Sequence, residues 1–322
     1  MITLPKHITK ITHIVGKNIV RRCYGQEIIT LDNGNESIIK ARNPLFIVEQ
    51  DGKKIAFTSK INEDIPADCP YAVLVNKRPT AALFRNNDLK IMAWLKHPAM
   101  NDTLMPDEVA QSWRGKFTFI EEVKDREPRQ NGLRRPQVEA IHAWLSSQHS
   151  RKDRATIVMP TGTGKTETML GIMVAGQCKK ILVTVPHDAL REQIANKFLS
   201  LGKLHEYGIV TPDCKYPFVT LIDSGLEDVN DWQDIIEHSN VIVTTMALLA
   251  QTGNDVRSLL ARTITNVFVD EAHHSEAPSW SQFLDRFERT RITQYTATPF
   301  RNDGRKLKGE FVYTFSLRAA QQ

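Results

Sequence analysis

Residues 155–166, ATIVMPTGTGKT, carry an apolar strand into a glycine-flanked loop that ends in Gly164, Lys165 and Thr166. A loop of this composition turns backbone N–H groups inward around a polyphosphate, sets a lysine against the β and γ phosphates and offers a hydroxyl to Mg²⁺. Pro160, Thr161, Gly162, Thr163 and Gly164 form the expected cradle, with Lys165 on phosphate and Thr166 on the metal. Met159 departs from the general pattern G-x-x-x-x-G-K-[ST], which has a glycine there. Far downstream, VFVDEAHH at 267–274 ends an apolar strand in two adjacent carboxylates. Asp270, at the strand tip, is placed to hold Mg²⁺ through water, and Glu271 to orient and deprotonate a water attacking the γ phosphate. An acidic pair leading into a helix would explain Asp270 and Glu271 alone, but not their coupling to the upstream loop. His274 reads as a solvated neighbour.

These residues need a scaffold that gathers strand ends. Val138, Ile141 and Leu145 are expected on one helical face before the loop, and Met169, Ile172 and Met173 on an amphipathic helix after it. Short apolar runs at Ile181 to Val185, Phe218 to Ile222, Val241 to Thr244, Val267 to Val269 and Ile292 to Tyr295 read as strands buried on both faces of a parallel sheet. Between them Leu190, Ile194 and Phe198 keep helical spacing, while Trp280, Phe283, Leu284 and Phe287 form a core-facing stripe, so those aromatics are expected to pack. Such alternation predicts a doubly wound α/β domain with ligands at the carboxyl ends of its strands.

The region before residue 97 differs. Strands are expected at Ile28 to Leu31 and Ser37 to Ala41 around Asp32-Asn33-Gly34, and at Leu45 to Val48 and Lys54 to Phe57 around Asp51-Gly52, as hairpins. A further pair is expected at Tyr71 to Val75 and Ala81 to Phe84. The expected fold class is α/β, a P-loop domain with a parallel sheet preceded by a small antiparallel β-rich domain. The boundaries are drawn at 1–96 for the β-rich domain, 97–132 for a proline-punctuated linker and 133–322 for the nucleotide-binding domain.

With 41% hydrophobic and 25% charged residues, the 322-residue chain has the composition of a globular protein. No apolar run reaches the roughly 18 residues of a membrane span and the N-terminus lacks a signal-like core, so no membrane partner and a cytoplasmic location are expected. Cys23, Cys69, Cys178 and Cys214 lack metal-ligand spacing and are expected as reduced structural residues. The net charge of +5 is compatible with a polyanionic partner.

PTGTGKT at 160–166, DEAH at 270–273 and TATP at 296–299 resemble motifs I, II and III of the superfamily 2 DEAD/DEAH-box helicases. VTVPHDALREQ at 183–193 resembles motif Ia, VTTMALL at 243–249 motif Ib, and LRRPQVEAI at 133–141 the adenine-holding segment upstream of motif I. YTATPFR at 295–301 is most similar to motor subunits of restriction and phage-defence systems and to DNA-repair translocases. The resemblance implies a RecA-like domain that binds ATP and Mg²⁺, with Lys165, Asp270 and Glu271 catalytic. It places Gln137, with Arg134 or Arg135, at the adenine. It assigns His273, Thr296 and Thr298 to coupling the nucleotide with the nucleic-acid track, and Thr184, Pro186, His187, Thr244 and Thr245 to phosphates of a bound strand, DNA favoured over RNA. The family's motor has two RecA-like domains, and its arginine finger is worth roughly 10³ to 10⁵ in turnover. Only the first lies in this sequence, so a second domain, in cis or in trans, is an expected partner and the isolated chain is expected to hydrolyse ATP weakly. The alternative reading is a nucleotide-gated scaffold or sensor without motor activity. A P-loop kinase or GTPase fits poorly, because Asn76-Lys77 runs into Arg78-Pro79 outside the α/β domain.

Overall fold

The structure, a computed structural model, describes residues 1–34, 38–42, 45–123, 128–149, 154–274, 278–287, 290–299 and 307–315. The chain divides into two compact units, Met1–Ile11 with Arg22–Thr103 and Thr12–Arg21 with Leu104–Gln322. The expected division kept residues 1–96 together. By contact, the hairpin segment 12–21 groups with the second unit, as does the chain from Leu104 onward.

The N-terminal elements are β1 (Ile2–Thr3), β2 (His7–Val15), β3 (Asn18–Gln26), β4 (Thr30–Leu31), β5 (Ile38–Arg42), β6 (Leu45–Gln50), β7 (Lys53–Thr58), β8 (Tyr71–Val75), α1 (Ala81–Arg85) and β9 (Ile91–Lys96). Strands β5 to β9 form a sheet in sequence order, antiparallel except for the parallel pair β7 and β8. Asp51-Gly52 makes the expected hairpin: Gln50 pairs with Lys53, and positive φ at Asp51 (51°) and Gly52 (73°) matches the twist of the strands it joins. Asp32-Asn33-Gly34 does not. Its Gly34 N–H donates to Asp32 Oδ1 in a local turn, β4 pairs with β1, and β5 pairs with β6; Ser37 of the expected strand lies outside the described residues. Residues 81–84 are helical instead of extended, because Thr80 Oγ1 caps the Leu83 N–H and only Phe84 is buried, whereas a strand would bury alternate residues.

Phe46, Phe57 and Phe84 meet edge to face or tilted at centroid separations of 5.6 to 6.0 Å in the core of this unit. In the same unit the buried Arg22 guanidinium pairs with the Asp102 carboxylate and lies over the Tyr24 ring.

The second unit holds α2 (Pro106–Ser112), α3 (Arg135–Ser146), β10 (Arg154–Val158), α4 (Lys165–Ala175), β11 (Ile181–Val185), α5 (Asp188–Ser200), β12 (Phe218–Leu221), α6 (Val229–Glu237), β13 (Val241–Thr245), α7 (Met246–Ala250), α8 (Asn254–Thr263), β14 (Asn266–Val269), α9 (Pro278–Leu284), β15 (Arg291–Thr296) and β16 (Glu310–Thr314). Its sheet runs β16-β10-β15-β14-β11-β13-β12-β3-β2, and the pairs from β16 to β12 are parallel. All five expected parallel strands are present. The stretch expected as linker carries α2, which buries Val109 and Ala110, and Trp113 just beyond it donates its indole N–H to Lys215 O at 2.8 Å.

Two helix faces differ from expectation. On α3 the buried positions are Gln137, Ala140, Ile141 and Trp144, so the face is centred between the expected residues, and Val138 and Leu145 are half-buried. Helix α4 is buried continuously from Thr168 to Val174 and has no solvated stripe at that level. Trp280, Phe283, Leu284 and Phe287 pack into the core as expected, and all four cysteines are buried and form no disulfide.

Phe84→Ala is expected to destabilise the first unit by about 3 to 4 kcal/mol, since the ring is fully buried between two others. Urea unfolding of the variant and the wild type followed by circular dichroism measures it.

Candidate nucleotide site

Strand β10 ends at Val158, and the chain turns through residues 159–164 into α4. Gly162 (φ 83°) and Gly164 (φ 96°) adopt left-handed conformations that tilt the loop over the helix N-terminus. Met159 needs no glycine. It lies outside the left-handed region, its side chain is fully buried, and its N–H continues the sheet by donating to Thr296 O at 2.8 Å. Pro160 is buried beneath the loop, Thr163 Oγ1 donates to Pro160 O at 2.6 Å, and Thr161 is exposed at the tip.

Gln137 braces this loop. Its Oε1 accepts from Arg134 N at 2.7 Å, its Nε2 donates to Gly164 O at 3.2 Å, and Arg134 Nη1 donates to Gly162 O at 2.5 Å. The contact with Gly164 is so close that an added Cβ would lie 1.9 Å from Gln137 Nε2.

The carboxylates arrive from β14. Lys165 Nζ lies 2.9 Å from Glu271 Oε1, and both side chains are largely buried. Glu271 is held at φ 49°, a strained conformation for a non-glycine residue. Asp270 is 6% exposed. Its carboxyl is pushed up to about 6 by burial and then by the Glu271 charge, against the opposing pull of Lys165. From Glu271 the polar contacts continue to His273 Nδ1, 3.4 Å from Glu271 Oε2 and 3.0 Å from Thr296 Oγ1. Thr296 Oγ1 in turn donates to Thr298 O at 2.8 Å. Phe300 and Arg301, the last residues of the expected motif, lie outside the described residues, as does the side chain of His274.

Gln137, Arg134, Thr161, Gly162, Gly164, Lys165, Thr166, Asp270 and Glu271 line one cavity of about 430 Å³, so most of the expected nucleotide residues are brought together. Sequence reasoning missed its other wall: Lys197, Lys203 and Tyr207, with Leu204 and Ile209, come from the end of α5 and the turn after it. Lys197 pairs with Glu167 at 2.6 Å. The local signals of that turn are Gly202, whose φ of 55° follows the left-handed Leu201, and Gly208 at φ 67°. Arg135 points elsewhere, pairing with Glu139 at 2.8 Å.

The residues expected on a nucleic-acid face are placed unevenly. Thr184 and Thr244 face each other across β11 and β13 with side chains wholly buried, so neither hydroxyl can touch a strand from this position. Both faces of these central strands are covered, every residue of β11 and β13 being buried, so a hydroxyl within either strand is kept from solvent whichever face it is on. Thr245 Oγ1 caps α7 by accepting from Leu248 N at 3.3 Å. Pro186 is half-buried and His187, at the start of α5, is exposed.

A phosphate loop at the carboxyl edge of a parallel sheet, opposed by a paired Asp-Glu and wired to the next strand, defines the RecA-like domain of a superfamily 2 helicase. The family model for the Type III restriction enzyme, res subunit, matches residues 130–301, over half of the chain, and the protein belongs to that family. Among curated proteins, the DNA 3'-5' translocase XPB2 of Sulfurisphaera tokodaii is 28% identical over 193 residues, 58% of this chain and 36% of that protein. The chain thus spans about a third of that relative's length. Among solved structures, the Hef helicase domain of Pyrococcus furiosus shares 20% identity over 49% of this chain and 32% of its own, with a TM-score of 0.33. The UvsW helicase from bacteriophage T4 shares 14% identity over 62% of each chain, with a TM-score of 0.36. No helix among the described residues is long and apolar enough to cross a membrane.

Gly164→Ala is expected to weaken nucleotide binding by about tenfold or more, since it combines a left-handed φ with a collision on Gln137. Gly162→Ala, with nothing within 4 Å of its Cβ, should cost less, and titration with a fluorescent nucleotide ranks the two. Asp270→Asn is expected to stabilise the protein at neutral pH in EDTA by up to about 3 kcal/mol. The sign follows from the raised carboxyl: folding favours its protonated form, so stability present below the unfolded value of 3.8 is lost as pH rises through about 6. The advantage of Asn over Asp should therefore vanish below pH 3.8, as urea unfolding across pH would show.

Proposed function

We propose that this chain is the ATP-binding domain of a nucleic-acid motor, which couples ATP hydrolysis to translocation along or unwinding of nucleic acid, DNA favoured. The observation that carries the reading is the Lys165–Glu271 ion pair, set at 2.9 Å beside the buried Asp270 in a cavity that the phosphate loop also lines. Two carboxylates facing one ammonium leave negative charge uncompensated, and burial already strains Asp270. That donor set suits a hard divalent cation, which Thr166 and Asp270 would hold. Bound Mg²⁺ would neutralise phosphate charge.

The residues of the chain divide the remaining work. Arriving phosphates give Lys165 a stronger anionic partner than Glu271, and the loop N–H groups and the start of α4 share that charge. Glu271, relieved of its lysine, becomes the base that orients and deprotonates the attacking water. Its contact with His273, and that of His273 with Thr296, offers a route by which the state of the γ phosphate biases the β15 end and Thr298. Gln137 and Arg134 would read adenine, and in doing so would exchange loop contacts for nucleotide contacts.

Nucleic acid would bind through Pro186 and His187 at the β11 edge, with Thr245 presenting the start of α7 and the buried Thr184 and Thr244 supporting these turns from below. Phosphate contacts of this kind grip without reading sequence. Arg134 is the one arginine among the described residues that line the cavity, and it is engaged with Gly162. A second RecA-like domain, in cis or in trans, would supply the arginine that completes the site. The residues that would bind ATP all fall within 133–322, which we read as the ATP-binding domain of a cytoplasmic protein, with the packed segment from Leu104 joined to it.

Lys165→Ala is expected to abolish ATP binding in calorimetry, and Glu271→Gln to bind ATP while turnover falls by at least about a hundredfold. DNA should stimulate hydrolysis once a second RecA-like domain is present, with affinity falling steeply as salt rises. Undiminished binding by the Lys165 variant would sink the proposal, and ATP binding that no DNA or RNA ever couples to hydrolysis would favour a nucleotide-gated scaffold instead.

A further inference from the structure

His13, Asp234 and His238 meet on the second unit and none of them lines the nucleotide cavity. His13 is on β2, within the segment that groups with this unit, while Asp234 and His238 are one turn apart at the C-terminal end of α6. His13 Nε2 lies 2.8 Å from Asp234 Oδ2, and His238 Nδ1 lies 3.0 Å from Asp234 Oδ1 and 2.9 Å from its carbonyl oxygen. The two imidazoles stack with centroids 3.8 Å apart and planes 9° from parallel. One ligand atom from each residue falls within 4.8 Å of the other two. Trp232, Ile235 and Ile236 are buried on the opposite face of α6, so the helix presents the aspartate and histidine from a fixed base.

We propose that His13, Asp234 and His238 bind a divalent transition-metal ion of the zinc, cobalt or nickel class, which ties the β2 segment to α6. Two imidazole nitrogens and one carboxylate form a borderline donor set that such ions accept and that Mg²⁺ and Ca²⁺, which prefer oxygen, do not. The side chains are about a third exposed, so an ion has access and water can complete its coordination. Near-parallel rings cannot both aim lone pairs at one ion, so one imidazole must turn about χ2, a soft torsion for histidine. The ion would replace the protons through which the imidazoles now hold the carboxylate. Its role is structural: three ligands from two elements far apart in sequence gain nothing from the unfolded chain, so binding energy adds to folding energy.

The test uses the full chain stripped with EDTA and titrated with Co²⁺, whose visible d–d absorption reports nitrogen coordination. The expected result is about one bound ion per chain, displaced by Zn²⁺. His13→Gln, His238→Gln and Asp234→Asn, which keep hydrogen-bonding capacity, should each lower Co²⁺ affinity by about tenfold or more. Zn²⁺ should raise the Tm of the wild type and leave that of the His13→Gln/His238→Gln variant unchanged, with matching metal-free circular dichroism showing that the variant folds. The proposal is overturned by wild-type protein that gives no Co²⁺ band, or by the double variant binding Co²⁺ as well as the wild type does.

Discussion

Parallel register among β10, β15 and β14 is the constraint from which the site follows. β15 lies between the other two, pairing Val158 with Thr296 on one side and Val269 with Gln294 on the other. The three strands therefore end together, and the segments that leave them, the phosphate loop, the Asp-Glu pair and the Thr296–Thr298 turn, must share one edge of the sheet. A slip of one residue in any pair would turn every side chain of that strand to the opposite face and separate Lys165 from Glu271. The N–H of Met159 carries the ladder one residue past β10, and this pins the start of the loop to the end of β15.

On that edge the protein holds groups that burial disfavours. Asp270 is kept from water beside a second carboxylate, Glu271 sits at positive φ, and the ammonium paired with Glu271 comes from a lysine that is itself buried. None of this helps the fold, and a domain selected for stability alone would replace these residues. The cost is absorbed by the surrounding sheet and by α4, whose apolar side chains from Met169 to Val174 are fully buried behind the loop. On the function proposed above, a metal-bound polyphosphate would engage Lys165 and offset both carboxylates at once.

Bracing from outside the loop is a second consequence of tertiary packing. Gln137 reaches Gly164 from α3, and Gly164 has no side chain to keep it away. The glycine thus answers two demands, a left-handed turn and a close approach, whereas Gly162 answers only the first. A substitution at Gln137 in α3 can therefore be felt at the phosphate loop through this brace.

Much of this was legible in the amino acids. The parallel strands are continuous apolar runs, the phosphate loop and the Asp-Glu pair are local strings, and Asp51-Gly52 dictates its hairpin through the φ values that only such residues adopt readily. Where the decisive partner was distant, sequence was silent or misleading. Residues 81–84 read as a strand until the cap from Thr80 is seen, and Asp32-Asn33-Gly34 read as a hairpin because its turn is real while the partner of β4 is β1. Nine-residue strands β2 and β3 escaped notice because polar residues interrupt their apolar pattern. Thr184 and Thr244 read as surface contacts because position within a motif carries no information about how deep in the sheet the strand lies, and both faces of β11 and β13 are covered. The chemistry of the phosphate loop, the carboxylates and the strands that lead to them was determined by the sequence alone, because it depends on residue type and short spacing. The second wall of the cavity at Lys197 to Tyr207, the brace of Gln137 on Gly164 and the meeting of His13 with Asp234 and His238 were decided only by the tertiary structure, because each joins segments whose proximity is set by strand order and packing.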